Sequence, residues 1–113
     1  MRGTMLIIRA SGARVEVTRF NREVTLDELK TAIGGGYIEA VPHFRTIKIE
    51  GRLRPCWAIC DEDGKLKNLP YNDMATAIWN EAFHRLHGIS TYPDYLVGDV
   101  AVLYGDRKFM EAL

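Results

Sequence analysis

The stretch TLDELKTAIGGGYIEAVP, residues 25–42, carries a complete local instruction: a capped helix, a glycine stop, then a strand. Thr25 and Glu28 have the spacing of a capping box. The threonine oxygen accepts an otherwise unbonded backbone N–H, and the glutamate accepts the N–H of the threonine itself. Leu26, Leu29, Ala32 and Ile33 give a short apolar stripe. Gly34, Gly35 and Gly36 end the helix, because glycine reaches the left-handed conformation without a Cβ clash. Tyr37 to Val41 then leave the stop as a strand, and Pro42 marks its end, a bulge or a sheet edge.

Upstream, residues 5–10 are a β-type run and residues 15–20 alternate with period two. Ser11, Gly12, Ala13 and Arg14 supply turn chemistry between them, so the pair reads as a hairpin. Val15, Val17 and Arg19 share one face of its second strand. The first strand is apolar on both faces, which suits an inner position.

Downstream, residues 45–50 alternate with Ile47 and Ile49 inward, Gly51 allows a turn, and a strand resumes from Leu53 to Cys60 with Trp57 and Ile59 on one face. Asp61-Glu62-Asp63-Gly64 has the DG pair of a hairpin, with residues 65–70 leaving as a strand or extended loop. Asn72 or Asp73 caps a second helix over residues 74–87, closed by Gly88. Its apolar stripe is Ala75, Ile78, Trp79, Ala82 and Leu86, with Glu81, His84 and His87 opposite. Residues 89–95 read as a loop, residues 96–104 as a last strand, and Asp106 as the cap of a short terminal helix. Strands and helices without a βαβα alternation argue an α+β fold: a mainly antiparallel sheet with two helices packed on one face.

A chain of 113 residues with 47% apolar content suits a single domain, and at this length folding buries roughly two-thirds of the extended-chain surface. Fifteen basic and fifteen acidic residues cancel, which disfavours duplex DNA binding driven by gross charge. The balance is uneven, with 10 Lys/Arg against 6 Asp/Glu in residues 1–54 and 5 against 9 in the rest. Such segregation gives a dipolar molecule, pairs subunits, or means nothing. No apolar run approaches the ~20 residues that cross a bilayer, and no signal-peptide pattern is present, so the expectation is a cytoplasmic protein without membrane attachment. Cys56 and Cys60, four apart on a strand, would place their Cα atoms roughly 13 Å apart, too far for a mutual disulfide. They read as reduced, inert thiols.

Most candidate chemistry meets a plainer reading. Glu81-x-x-His84-x-x-His87 has helical ligand spacing, yet faces solvent on one helix, and no metal is expected. A pairing of Cys56 or Cys60 with His43 has no supporting motif. The carboxylates at 61–63 are explained by a turn. Gly34–Gly36 follow a helix, whereas phosphate sits at a helix N-terminus; the surplus glycine beyond a cap suits close backbone approach to a strand or ligand. The strongest cluster is basic and aromatic: Tyr37, His43, Phe44, Arg45, Lys48, Arg52 and Arg54. Guanidinium groups fork onto phosphate oxygens and a ring offers a base a stacking face. Simple alternation places Lys48, Arg52 and Arg54 on one face and Arg45 on the other. The competing reading is a solvated sheet face whose charges block edge pairing.

GGYIEAVP at residues 35–42, CDEDGKLKNLPYN at 60–72 and LVGDVAVLYGD at 96–106 resemble, in order and spacing, an uncharacterised small-domain family of phages, mobile elements and gut metagenomes, with a GGYIE…GKLKxLPxN signature. The chain departs from it by an extra glycine before the first motif, by Asp61 where asparagine is common, by a longer insertion over residues 43–54, and by a fuller second helix. The family has no agreed activity, so the resemblance transfers no catalytic residue. It implies a small cytoplasmic protein of an infected or element-carrying bacterium that binds something belonging to the host.

The combined expectation is a non-catalytic binding protein without cofactor: a phage counter-defence protein sequestering a small, cyclic nucleotide signal. Arg45, Lys48, Arg52 and Arg54 would hold phosphates, Tyr37 stack on a base, Tyr71 or Asn72 read its edge, and the backbone of Gly34, Gly35 and Gly36 permit close approach. The alternatives are a protein-interaction module inhibiting a host defence enzyme and a nucleic-acid accessory protein. Exposed β edges suggest a homo-oligomer.

Overall fold

The computed structural model describes residues 1–88 and 94–113, and most of the loop expected over 89–95 lies outside them. Among these residues seven strands and three α-helices follow in order: β1 (Gly3–Ile8), β2 (Val15–Phe20), α1 (Leu26–Ala32), β3 (Ile38–Ala40), β4 (Thr46–Ile49), β5 (Arg52–Pro55), β6 (Trp57–Asp61), α2 (Asp73–His87), β7 (Val100–Gly105) and α3 (Arg107–Glu111). A five-stranded sheet runs β2-β1-β7-β6-β3, antiparallel at every junction, and β4 and β5 form a separate two-stranded ribbon. The fold is α+β, as the segregated pattern implies.

The pleat sorts apolar side chains into two cores, because successive residues point to opposite faces. One face presents Ile8, Ala58, Val100 and Val102 to Trp79, Ala75 and Ala82 of α2, to Ile47 of the ribbon and to Phe44 ahead of it. The other presents Met5, Ile7, Ile59, Ala101 and Leu103 to Leu29, Ala32 and Ile33 of α1 and to Phe109 of α3. The two helices expected together on one face, α1 and α2, lie on opposite faces; the short α3 shares the face of α1.

The expected capping box of α1 is present: Glu28 N–H donates to Thr25 Oγ1 at 3.1 Å and Thr25 N–H to Glu28 Oε1 at 2.9 Å. Leu26 departs from the apolar stripe and is exposed. The glycine stop is real, with φ of 86°, 92° and 86° at Gly34, Gly35 and Gly36. On α2, Leu86 is likewise exposed, while Thr76 and Phe83 join the buried stripe.

Two further expectations are corrected. The single strand over residues 53–60 breaks at Cys56: β5 pairs with β4, and β6 crosses into the main sheet. Pro55, which has no N–H to donate, stands at the break. The DG hairpin does not form either. Asp61 is buried; its Oδ1 accepts the N–H of Asp63 at 2.9 Å and its Oδ2 the ammonium of Lys67 at 2.7 Å. The following residues curl into successive turns, Gly64 N–H to Asp61 O and Leu69 N–H to Gly64 O, instead of returning as a strand.

Candidate functional site

The ribbon decides where the basic residues go. Its loop is the two residues Glu50 and Gly51, both left-handed at φ 51° and 80°, the conformation of a tight type I′ hairpin. Opposed pairs are therefore Ile47 with Arg54, Lys48 with Leu53 and Ile49 with Arg52. Opposed residues share a face, so Arg52 and Arg54 lie with Ile47 and Ile49 on the face that meets the core. Lys48 lies with exposed Leu53 on the outer face. Alternation counted straight through the loop put Lys48 with the arginines; a two-residue turn pairs even positions with odd ones and reverses that grouping. Arg45 precedes β4, exposed, and its carbonyl accepts the N–H of Cys56 at 2.9 Å.

Where the ribbon overhangs the sheet, an open cleft of about 820 Å³ forms, with Arg54 on its ribbon side and Arg2, Arg19 and Tyr104 on its sheet side. The Arg54 guanidinium lies over the Tyr104 ring, 5.1 Å from its centroid. That cation–π contact holds a five-donor fork in place. Arg2, Arg19 and Arg54 take part in none of the ion pairs among the described residues. Of the carboxylates at the rim, Asp106 is occupied as the cap of α3: its oxygens accept Phe109 N–H at 2.9 Å and Arg2 N–H at 2.7 Å. Those N–H groups, Phe109's first, hold its carboxyl below the usual range. The cleft offers three cations to one uncommitted carboxylate, Glu50. It can take an anion.

The other expected site residues are dispersed. Arg52 is exposed on the ribbon but does not line the cleft. Tyr37, 69% exposed, lies at the opposite side of the sheet, its carbonyl accepting Glu62 N–H. A Cβ on Gly36 would press on the Asp61 carboxylate and the Lys67 ammonium at 2.8 Å, so the close approach this glycine permits is to that ion pair. Tyr71 packs against Tyr95, centroids 5.8 Å apart, near a smaller cavity of about 190 Å³ rimmed by Glu39, Glu62 and Asp94. Asn72 is fully buried, and both ends of its amide are bonded within the fold: Oδ1 accepts Ala75 N–H, while Nδ2 donates to Ile8 O and Gly98 O.

Sequence reading missed Arg2, Arg19 and Tyr104. They lie far apart in the chain and meet because β1 stands between β2 and β7. The one local signal was the alternation of β2, which put Arg19 on the face of Val15 and Val17.

Other candidates settle plainly. Cys56 and Cys60 are free and half-buried, packed against the α2 side, and burial pushes their thiols up to about 12 and about 11. Thiols so raised are weak nucleophiles at neutral pH. Glu81, His84 and His87 are exposed; His87 Nε2 lies 2.9 Å from His43 Nδ1. Among the described residues no three His, Cys, Asp or Glu side chains converge as metal ligands, and no helix is long and apolar enough to cross a membrane.

Comparison with known proteins adds one positive finding: residues 1–111 match a family model described as "Domain of unknown function (DUF3846)". No curated protein and no solved structure matches the chain.

Proposed function

The chain belongs to this DUF3846 family, an uncharacterised small-domain family, and from the geometry of its cleft we propose that it is a non-catalytic binding protein for a small phosphate-bearing ligand. One observation carries the reading: Arg54, held over the Tyr104 ring, faces a cleft shared with Arg2 and Arg19, and none of the three is neutralised by an ion pair among the described residues. Unpaired guanidinium groups around a concave site supply forked, charge-assisted hydrogen bonds to phosphate oxygens. An open cleft of about 820 Å³ has the volume of small-ligand sites. In its narrower form the ligand is a cyclic nucleotide used as an antiviral signal, and the protein a counter-defence factor of a phage or mobile element. The motif resemblance motivates that form. Tyr37, Arg45, Lys48 and Arg52 fall outside the cleft in this reading, and Asn72 serves the fold.

The experiment is native mass spectrometry with a nucleotide panel, alongside titration calorimetry of the Arg54→Ala and Arg19→Ala variants. Retention of a nucleotide, weakened tenfold or more by either substitution and by added salt, is the expected result. An unchanged apo mass across the panel overturns the assignment and directs attention to protein partners. Equal binding by wild type and Arg54→Ala moves the ligand elsewhere.

A further inference from the structure

The sheet has an outer edge at β2, which pairs with β1 alone among the described residues. Its six residues run in continuous register, Gly3 opposite Phe20 through Ile8 opposite Val15, without a bulge or a proline. The hydrogen-bond phase of this edge is fixed. Arg9 N–H donates to Arg14 O at 2.9 Å, making that opposed pair a bonded one. Bonded and non-bonded pairs alternate along an antiparallel ladder, so Glu16, Thr18 and Phe20 direct their main-chain groups to β1. Val15, Val17 and Arg19 direct theirs outward. Asp106 N–H bonding Arg2 O on the other side of β1 agrees with this phase. The side chains of Val15 and Val17 are 42% and 53% exposed, an apolar strip continuing half-buried Leu6 on the same face.

We infer that β2 is the interface for a second copy of this chain, paired antiparallel about a two-fold axis through Val17. The self-complementarity of the edge selects both occupant and register. With Val17 opposite its own symmetry mate, Val15 faces Arg19 of the partner and Arg19 faces Val15 of the partner. All three outward-directed residues then exchange both main-chain hydrogen bonds. Shifting the axis to Glu16 sets like charges directly opposite, which is destabilising, and brings Arg19 opposite the hairpin loop. Shifting it to Thr18 leaves Val15 outside the paired segment. In the chosen register the two Val17 side chains meet on one face, and the Arg19 stem lies along Val15. On the other face Glu16, already held by Arg9 and Arg14 at 2.6 and 3.3 Å, faces Thr18. The product is one continuous sheet of twice the width. This inference does not depend on what the arginine cleft binds.

Sedimentation velocity across a concentration series, with two variants, tests it. The expected result is a wild-type dimer that Val17→Lys converts to monomer while leaving the circular dichroism spectrum unchanged, since like charges would then meet on the axis. Val17→Cys is expected to give a covalent dimer with a short bis-maleimide cross-linker, because bonded antiparallel pairs hold their Cα atoms ~5.5 Å apart. A wild-type monomer throughout the series overturns the inference. So does a dimer that Val17→Lys leaves intact or that Val17→Cys does not cross-link.

Discussion

Asn72 joins three segments with one side chain. Its oxygen caps α2 by accepting Ala75 N–H at 3.0 Å, and its amide nitrogen donates to Ile8 O at 2.9 Å and Gly98 O at 2.8 Å. Asn72→Ala removes a helix cap and two further buried hydrogen bonds, at about 1 kcal/mol for each loss. The expected cost is thus about 3 kcal/mol, read as a lowered urea midpoint at unchanged slope. The cap was legible from asparagine ahead of a periodic apolar stripe. The two carbonyls, 64 and 26 residues away, were not, so the residue had looked available to a ligand. The glycines divide in the same way. Gly34 and Gly36 share a φ of 86°, but a Cβ on Gly34 meets open space and one on Gly36 meets Asp61 and Lys67. Gly36→Ala is therefore expected to lower stability by about 1 kcal/mol more than Gly34→Ala. The backbone cost cancels in that comparison, and thermal melts of the two variants measure the packing part alone.

Among the elements, α1 follows most directly from its own residues, because its cap, its stop and most of its buried stripe are local. Its first turn also carries a pH signature. Arg22 grips Glu28 with both terminal nitrogens, at 2.8 and 2.9 Å, and Thr25 N–H adds a third bond. The arginine first, then that N–H, hold the Glu28 carboxyl down to about 2. A carboxyl depressed in the folded state adds stability that is present above its unfolded value and lost as pH falls through the folded one. Stability should therefore decline between the ordinary carboxyl value of 4.5 and about 2. Glu28→Gln, which keeps the capping-box acceptor, should flatten that decline in chemical denaturation followed against pH; the part contributed by other depressed carboxyls, Asp94 and Asp106 among them, remains. The ribbon and the turns after β6 were harder to read. Alternation through residues 45–60 looks the same whether one strand or two are present, and only a partner strand reveals the break at Cys56. The DG pair promised a hairpin, but the buried Asp61 carboxylate binds Asp63 N–H and Lys67 and draws the chain into turns.

At the scale of the whole molecule, the oppositely charged halves interlock within the sheet. Arg9 from the basic half bonds Asp99 from the acidic half at 2.8 Å, and β1 lies against β7. The arginine cleft depends on the same juxtaposition, which is why no window of sequence contained it. The α+β class was legible from element order. The distribution of helices over two faces was not, because it depends on which strands become neighbours. The strand in the middle of the sheet, β7, is the last to occur in the chain. A fragment ending at residue 98 keeps α1, α2, the N-terminal hairpin and the β3–β6 pair, yet has nothing to join the two strand pairs. Circular dichroism and thermal melts of that fragment should show no cooperative transition, and a sharp one would mean that half of the sheet folds alone. During translation the consequence is a waiting time. Until residue 105 has cleared the ribosome, β1 and β6 each present an uncovered edge to whatever strands are nearby, including those of other nascent chains. For this protein, elongation through β7 sets the interval in which a chaperone has work to do.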